Sequence, residues 1–230
     1  MNWNTITDSA EQLVELPELC FRVPIPINKE RLIFSFYRLI SYFHKDYNEF
    51  CREQFENAKK NLNREYLELE PMAWSINLNH LPELTGNDRW SKYCGNTDMI
   101  LSQGADPAKF TKLLTELDNL YLGNIIKKIM VYHERSTNRK FKGIVNIIWI
   151  APNSGYNFHT DKESDVLRYH VPLATNTDVL WLFEQDGKYS KLHMPVGNVW
   201  EFHPLKINHT VRNNSNVPRA HLVISEINDV

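Results

Sequence analysis

Seven side chains in the last third of the sequence have the types and spacing to build one reactive centre: His159 and Asp161, Arg168 and His170, His209 with Asn213 behind it, and Arg219. Two imidazoles and a carboxylate can occupy three positions on one face of a ferrous ion and leave three positions open. An arginine offers a planar fork that binds a carboxylate through two parallel hydrogen bonds. Two arginines beside one metal therefore suit a ligand with a carboxylate at each end. The three metal ligands alone also allow a closed zinc site with a fourth ligand, or a hydrolytic zinc site that keeps one position for water.

A His-x-Asp pair is weak evidence by itself, because the chain holds a second one, His44-Lys45-Asp46. There the surrounding pattern is helical, and residues two apart on a helix point about 200° away from each other. His159 and Asp161 instead lie beside a β-like run, where residues two apart share a face and both side chains can reach one ion. His209 follows in Ile207-Asn208-His209-Thr210-Val211, a further short strand by its pattern. Six of the nine histidines fall after position 158, so bystanders are expected, and His193, His203 and His221 are read as structural or supporting.

Arg168, His170 and Pro172 alternate with Leu167, Tyr169, Val171 and Leu173, which gives one cationic and one apolar strand face. The cationic face could equally be a solvated one. The stretch from Arg219 to Ser225 alternates in the same way and puts Arg219 and His221 together.

The elements that must position these groups are β-rich. From Gly143 the chain reads as seven or eight short strands: Ile144 to Ile150, Leu167 to Leu173, Asp178 to Glu184, Lys188 to Met194, Val199 to Phe202, Ile207 to Arg212 and Arg219 to Ile227. Asp186-Gly187 is a hairpin turn signal. That cadence predicts an antiparallel double sheet or barrel over residues 143–230.

Residues 1–142 read as a mainly helical elaboration, the two parts forming one α+β unit. Leu32, Phe36, Leu39, Phe43, Tyr47 and Phe50 recur at helical spacing and predict one long amphipathic helix from about Lys29. Met72 to Leu78 reads as a short strand, and Leu81 to Gly104 as a long irregular segment, which fits a loop that helps close a substrate pocket and a plain surface loop equally well. Asp106-Pro107 starts a second helix. The pattern from Asn124 to His133 fits either a continuing helix or a strand.

Composition sets the outer bounds. A formal net charge of −2 supplies no global basic field for nucleic acid or an anionic membrane. Three scattered cysteines form no disulfide framework and no Cys-x-x-Cys pair. No leader-like or membrane-spanning apolar run is present in the sequence. Two glycosylation sequons, Asn208-His209-Thr210 and Asn213-Asn214-Ser215, overlap the candidate centre, where a glycan would block it. These features predict a cytoplasmic protein.

Taken together, His159-x-Asp161, Arg168-x-His170-x-Pro172-Leu173, Gly197-x-x-Trp200-x-Phe202, His209-x-x-x-Asn213 and Arg219-x-His221-Leu222 resemble the aspartyl/asparaginyl β-hydroxylase family of Fe(II)- and 2-oxoglutarate-dependent oxygenases. The likeness covers about Ile144 to Ser225. It implies a double-stranded β-helix (cupin-like, jelly-roll) core, with His159, Asp161 and His209 as iron ligands. It also implies that Arg219 binds the far carboxylate of 2-oxoglutarate, that Arg168 and His170 contact its near end, and that Asn213 binds the cosubstrate or orders the loop after His209.

The family's peptide-modifying members lack the carboxylate ligand, whereas Asp161 matches bacterial members that hydroxylate free amino acids such as proline. An intact aspartate also argues against halogenation. The resemblance therefore implies a dioxygenase using dioxygen and acting on an amino acid, or on an Asp/Asn-type residue in a peptide or protein. Two other readings compete with it: a non-catalytic cupin-like metal-binding or scaffold protein, and a metal-dependent hydrolase or isomerase on the same scaffold.

Overall fold

β-Branched and aromatic residues at alternating positions drive the second half of the chain into strands, and the computed structural model shows how these close on one another. It describes residues 3–13, 15–16, 18–41, 46–61, 73–77, 120–141, 143–161 and 165–227. Eight strands form the core: β4 (Gly143–Ile150), β5 (Ser154–Gly155), β6 (Asp165–Ala174), β7 (Val179–Gln185), β8 (Lys188–Leu192), β9 (Val199–Phe202), β10 (Asn208–Asn213) and β11 (Arg219–Ile227).

They divide between two sheets, β9-β6-β11-β4 facing β8-β7-β10-β5, and every one of these pairings is antiparallel. That order is a double-stranded β-helix, the jelly roll expected from the sequence. The Asp186-Gly187 hairpin forms with both residues at positive φ, 52° and 73°, as the tight turn between Gln185 and Lys188 requires.

Three further strands come from the N-terminal part. β1 (Glu11–Leu13) runs parallel to β8, while β2 (Cys20–Val23) and β3 (Ala73–Asn77) extend the other sheet at β9 and β4. The first two were not foreseen: three or four residues are too few to show an alternation, and both are held by an edge already formed. The third falls within the stretch expected from Met72 to Leu78.

Helices cover the outer face of the larger sheet. The expected single helix from Lys29 is two, α2 (Lys29–Ile40) and α3 (Tyr47–Asn61), after α1 (Trp3–Ser9). The first ends at Ile40, capped by Ser41, and Asp46 starts the second: its backbone is not helical, and its side chain caps the first turn of α3 by accepting from the Glu49 N–H at 2.9 Å. The decoy Asp46 thus has a capping role. The ambiguous stretch is helical, lying within α4 (Tyr121–Thr137), whose Leu122 N–H donates to the buried Ser35 hydroxyl of α2 at 2.9 Å.

Phe36, Phe50 and Leu39 pack with Ile125, Ile129 and the outward-facing Trp149, Tyr169, Val171, Leu222 and Ile224 of the sheet. Burial of each such side chain contributes roughly 1.5–3 kcal/mol. A separate cluster fills the space between the sheets, with Trp181, Phe183, Trp200, Phe202 and Val211 at its centre. Among the described residues no helix is long and apolar enough to cross a membrane. The Leu81 to Gly104 segment and the helix start at Asp106-Pro107 lie outside the described residues.

Candidate metal centre

The strand alternation of β6 sends Leu167, Tyr169, Val171 and Leu173 outward and turns Arg168 and His170 inward. Both faces are buried, Arg168 being 7% and His170 3% exposed, so the cationic face is not a solvated one. The same phase on β11 turns Arg219 and His221 inward, 2% and 0% exposed. Arg168, His170 and Arg219 therefore point into the space between the sheets.

His159 does not lie in a continuous ladder. It forms an isolated antiparallel bridge to His209, with N–H donated to carbonyl in both directions at 3.0 and 2.8 Å. The two rings consequently face each other at 4.6 Å between centroids. The approach to this bridge needs Gly155: a Cβ there would stand 2.5 Å from the Val211 carbonyl oxygen. Asp161 follows, with its N–H donating to Pro204 O at 3.3 Å.

One ligand atom from each of His159, Asp161 and His209 lies within 4.8 Å of the others. His159 Nε2 is 3.3 Å from Asp161 Oδ1, the spacing of two neighbouring ligands on an ion bound at about 2.1 Å. Both imidazoles donate from Nδ1 to the carbonyl two residues earlier, Asn157 at 2.7 Å and Ile207 at 3.0 Å. These bonds put the proton on Nδ1 and leave the Nε2 lone pairs for a metal. The donor set fits Fe(II) or a similar divalent ion. The Asp161 end is 10% exposed and the His159 side chain 41%, so the centre opens beside His159.

The electrostatics favour the ligating forms of Asp161 and His209, while His159 must give up a proton when a metal binds. Burial acts to raise the Asp161 pKa, but the hydrogen bond with His159 and the neighbouring cations outweigh it and hold the carboxyl below its ordinary value. Burial pushes His209 down to about 4, so it is neutral at physiological pH. For His159 burial acts downward, yet the bonds to Asp161 and Asn157 leave it above the ordinary imidazole value.

Behind the triad lies a set of buried donors. Arg219 Nη2 donates to His221 Nδ1 at 2.6 Å and its guanidinium sits 5.7 Å from the Trp181 ring, yet no carboxylate faces it among the described residues. Arg219 Nε, both His170 ring nitrogens, His221 Nε2 and the indole nitrogens of Trp181 and Trp200 are buried with no hydrogen-bond partner in the protein. Native interiors tolerate few such groups, and a cluster around an unpaired guanidinium marks a place for an anionic ligand. Burial lowers the Arg219 pKa to about 9, which still leaves it charged at neutral pH. The chemistry of this set fits a dicarboxylate such as 2-oxoglutarate.

Arg168 lies beside the triad, its Nη1 2.7 Å from Asp161 Oδ2. Asn213 has its amide engaged by the chain, donating to the Ile150, Ala151 and Val217 carbonyls and accepting from Ser215. His193 and His203 bond to Val179 O and to Glu201. Trp181 was not singled out by its sequence, although its inward phase with Val179 and Phe183 on β7 could have marked it. It links the two halves of the site, stacked on His209 at 6.0 Å and edge-on to His170 at 4.9 Å between centroids.

A family model described as Aspartyl/Asparaginyl beta-hydroxylase matches residues 56–228. Among solved structures, a prolyl-4-hydroxylase of Pseudomonas putida is 11% identical over 93% of this chain and 94% of its own, with a TM-score of 0.47. An oxidoreductase of the 2OG-Fe(II) oxygenase family from Burkholderia pseudomallei is 13% identical over 51% of this chain, with a TM-score of 0.38, and the match spans 57% of that protein. A prolyl hydroxylase from Trichoplax adhaerens, solved with a hypoxia inducible factor peptide fragment, is 15% identical over 52% of this chain and 56% of its own, at TM-score 0.37. No curated protein matches the chain in sequence.

Proposed function

The chain belongs to the aspartyl/asparaginyl β-hydroxylase family of oxygenases, and we propose that it is an Fe(II)- and 2-oxoglutarate-dependent dioxygenase that hydroxylates an amino acid or an Asp/Asn-type residue of a peptide or protein. The observation that carries this reading is the unpaired Arg219 with its ring of partnerless buried donors, directly behind the His159, Asp161 and His209 triad. A hydrolytic metal site has no use for that pocket.

His159, Asp161 and His209 would hold the metal through Nε2, one carboxylate oxygen and Nε2. Iron bound there supplies the oxidising chemistry that, with dioxygen and 2-oxoglutarate, yields succinate and carbon dioxide and places one oxygen atom in a substrate C–H bond. Arg219 binds the far carboxylate of the cosubstrate, with His221 fixing the guanidinium through Nδ1. His170, neutral because burial and the charges of Arg219 and Arg168 hold its pKa well below the usual value, offers a ring N–H toward the cosubstrate's near end without adding charge. Trp181 and Phe202 wall the site from bulk water, and substrate enters on the His159 side.

The test is anaerobic addition of ferrous iron and then 2-oxoglutarate. A visible charge-transfer absorption is expected, absent in His159→Ala, together with succinate formation stimulated by the right amino acid or peptide once oxygen is admitted. Retention of zinc through purification with no absorption would instead favour a hydrolase or isomerase.

A further inference from the structure

We propose that Arg168 is a positioning residue for the metal ligand Asp161; the inference rests on the metal-site reading above. The two carboxylate oxygens of Asp161 are divided between different partners. Oδ1 is 3.3 Å from His159 Nε2, on the side where the triad converges, and Oδ2 is 2.7 Å from Arg168 Nη1. Arg168 and Asp161 are both about nine-tenths buried, so water competes little for the contact between them.

Asp161 belongs to no ladder; its segment is held by the isolated bridge at His159 and by the bond from its own N–H to Pro204 O. Arg168, in contrast, stands on β6, paired on both sides with Phe202 of β9 and Ser225 of β11. A strand paired on both sides thus supplies a guanidinium that fixes the side-chain rotation of the ligand and presents a single oxygen to the metal. A cation this close also repels a divalent ion, so orientation must outweigh repulsion for the arrangement to favour binding. Second-sphere partners of metal ligands are commonly worth 10- to 100-fold in affinity.

The experiment uses the full chain with Mn(II) alone, binding being read from loss of the free-ion EPR signal. Arg168→Met keeps the stem and removes the charge and the fork. It is expected to weaken Mn(II) binding by about 10- to 100-fold, while in an Asp161→Ala background the same substitution changes Mn(II) affinity by less than about twofold. Unchanged or tighter Mn(II) binding in Arg168→Met overturns the proposal. So does an undiminished loss in the Asp161→Ala background, the outcome expected of a general folding defect. A rise in 2-oxoglutarate Kd at saturating Mn(II) with Mn(II) affinity intact would make Arg168 a cosubstrate contact. If the wild-type chain binds Mn(II) but never 2-oxoglutarate, the proposed function fails while the Arg168–Asp161 coupling is still decided by Mn(II) alone.

Discussion

Replacing Arg219 by methionine removes a guanidinium and leaves an aliphatic stem of similar length against Trp181. In the native chain that guanidinium is 2% exposed and meets no carboxylate among the described residues, so its charge is unscreened and available to an incoming anion. Breaking one side of a buried ion pair costs about 3–5 kcal/mol. The remaining donors at Trp181 and His221 offset part of this, so the lower end applies, a rise of roughly 100- to 1,000-fold in 2-oxoglutarate Kd. Metal affinity should move by less than about threefold, because none of the ligand atoms or their supporting bonds involves Arg219. Calorimetric titration of the metal-free protein with Mn(II), and of the Mn(II)-loaded protein with 2-oxoglutarate and with 2-oxobutyrate, which lacks the far carboxylate, reads both quantities. The wild type should discriminate strongly between the two ligands and Arg219→Met hardly at all. If the variant still prefers 2-oxoglutarate by more than tenfold, or loses metal and cosubstrate alike, Arg219 does not read the far carboxylate.

Three other outcomes follow from described contacts. Asn213→Ala takes the amide from the buried Ile150 and Ala151 carbonyls and the acceptor from the Ser215 N–H, so a loss of about 2–3 kcal/mol is expected from urea unfolding; a change under about 1 kcal/mol would show that the loop does not depend on it. Gly155→Ala drives a methyl into the Val211 carbonyl, and should lower both the melting temperature and Mn(II) affinity by displacing His159 from His209, whereas intact Mn(II) binding would uncouple β5 from the centre. The metal-free protein should lose stability as pH falls below about 6.5. His209, His170 and His221 have depressed values in the fold, so the unfolded chain takes up protons first; each adds up to about 1.4 kcal/mol per pH unit, for His209 down to about pH 4. Equal urea midpoints at pH 7.5 and 5.5 would contradict this.

The strands from Gly143 onward were legible because both faces of β6 and β11 are buried by different chemistry, which leaves an alternation on the page. The phase argument for His159 and Asp161 also carried through, although the segment is an isolated bridge and not a strand. What the sequence could not convey was contact between distant segments. β1 and β2 exist because β8 and β9 present open edges, and no local pattern announces that. The partner of Arg168 was hidden for the same reason: an arginine fork reads identically whether its carboxylate belongs to a small molecule or to Asp161. The division of α2 from α3 was missed because the apolar spacing happens to stay in phase across Asp46.

The candidate centre draws His209 from one sheet and, through the Arg168–Asp161 contact, leans on the other. An ion bound there is a rivet across the open end of the roll, and its removal loosens a seam as well as emptying a site. Metal supply would then set how long the folded chain survives proteolysis: the holo form gains RT ln(1 + [M]/Kd) against unfolding, and a cell short of iron would clear the apo form first.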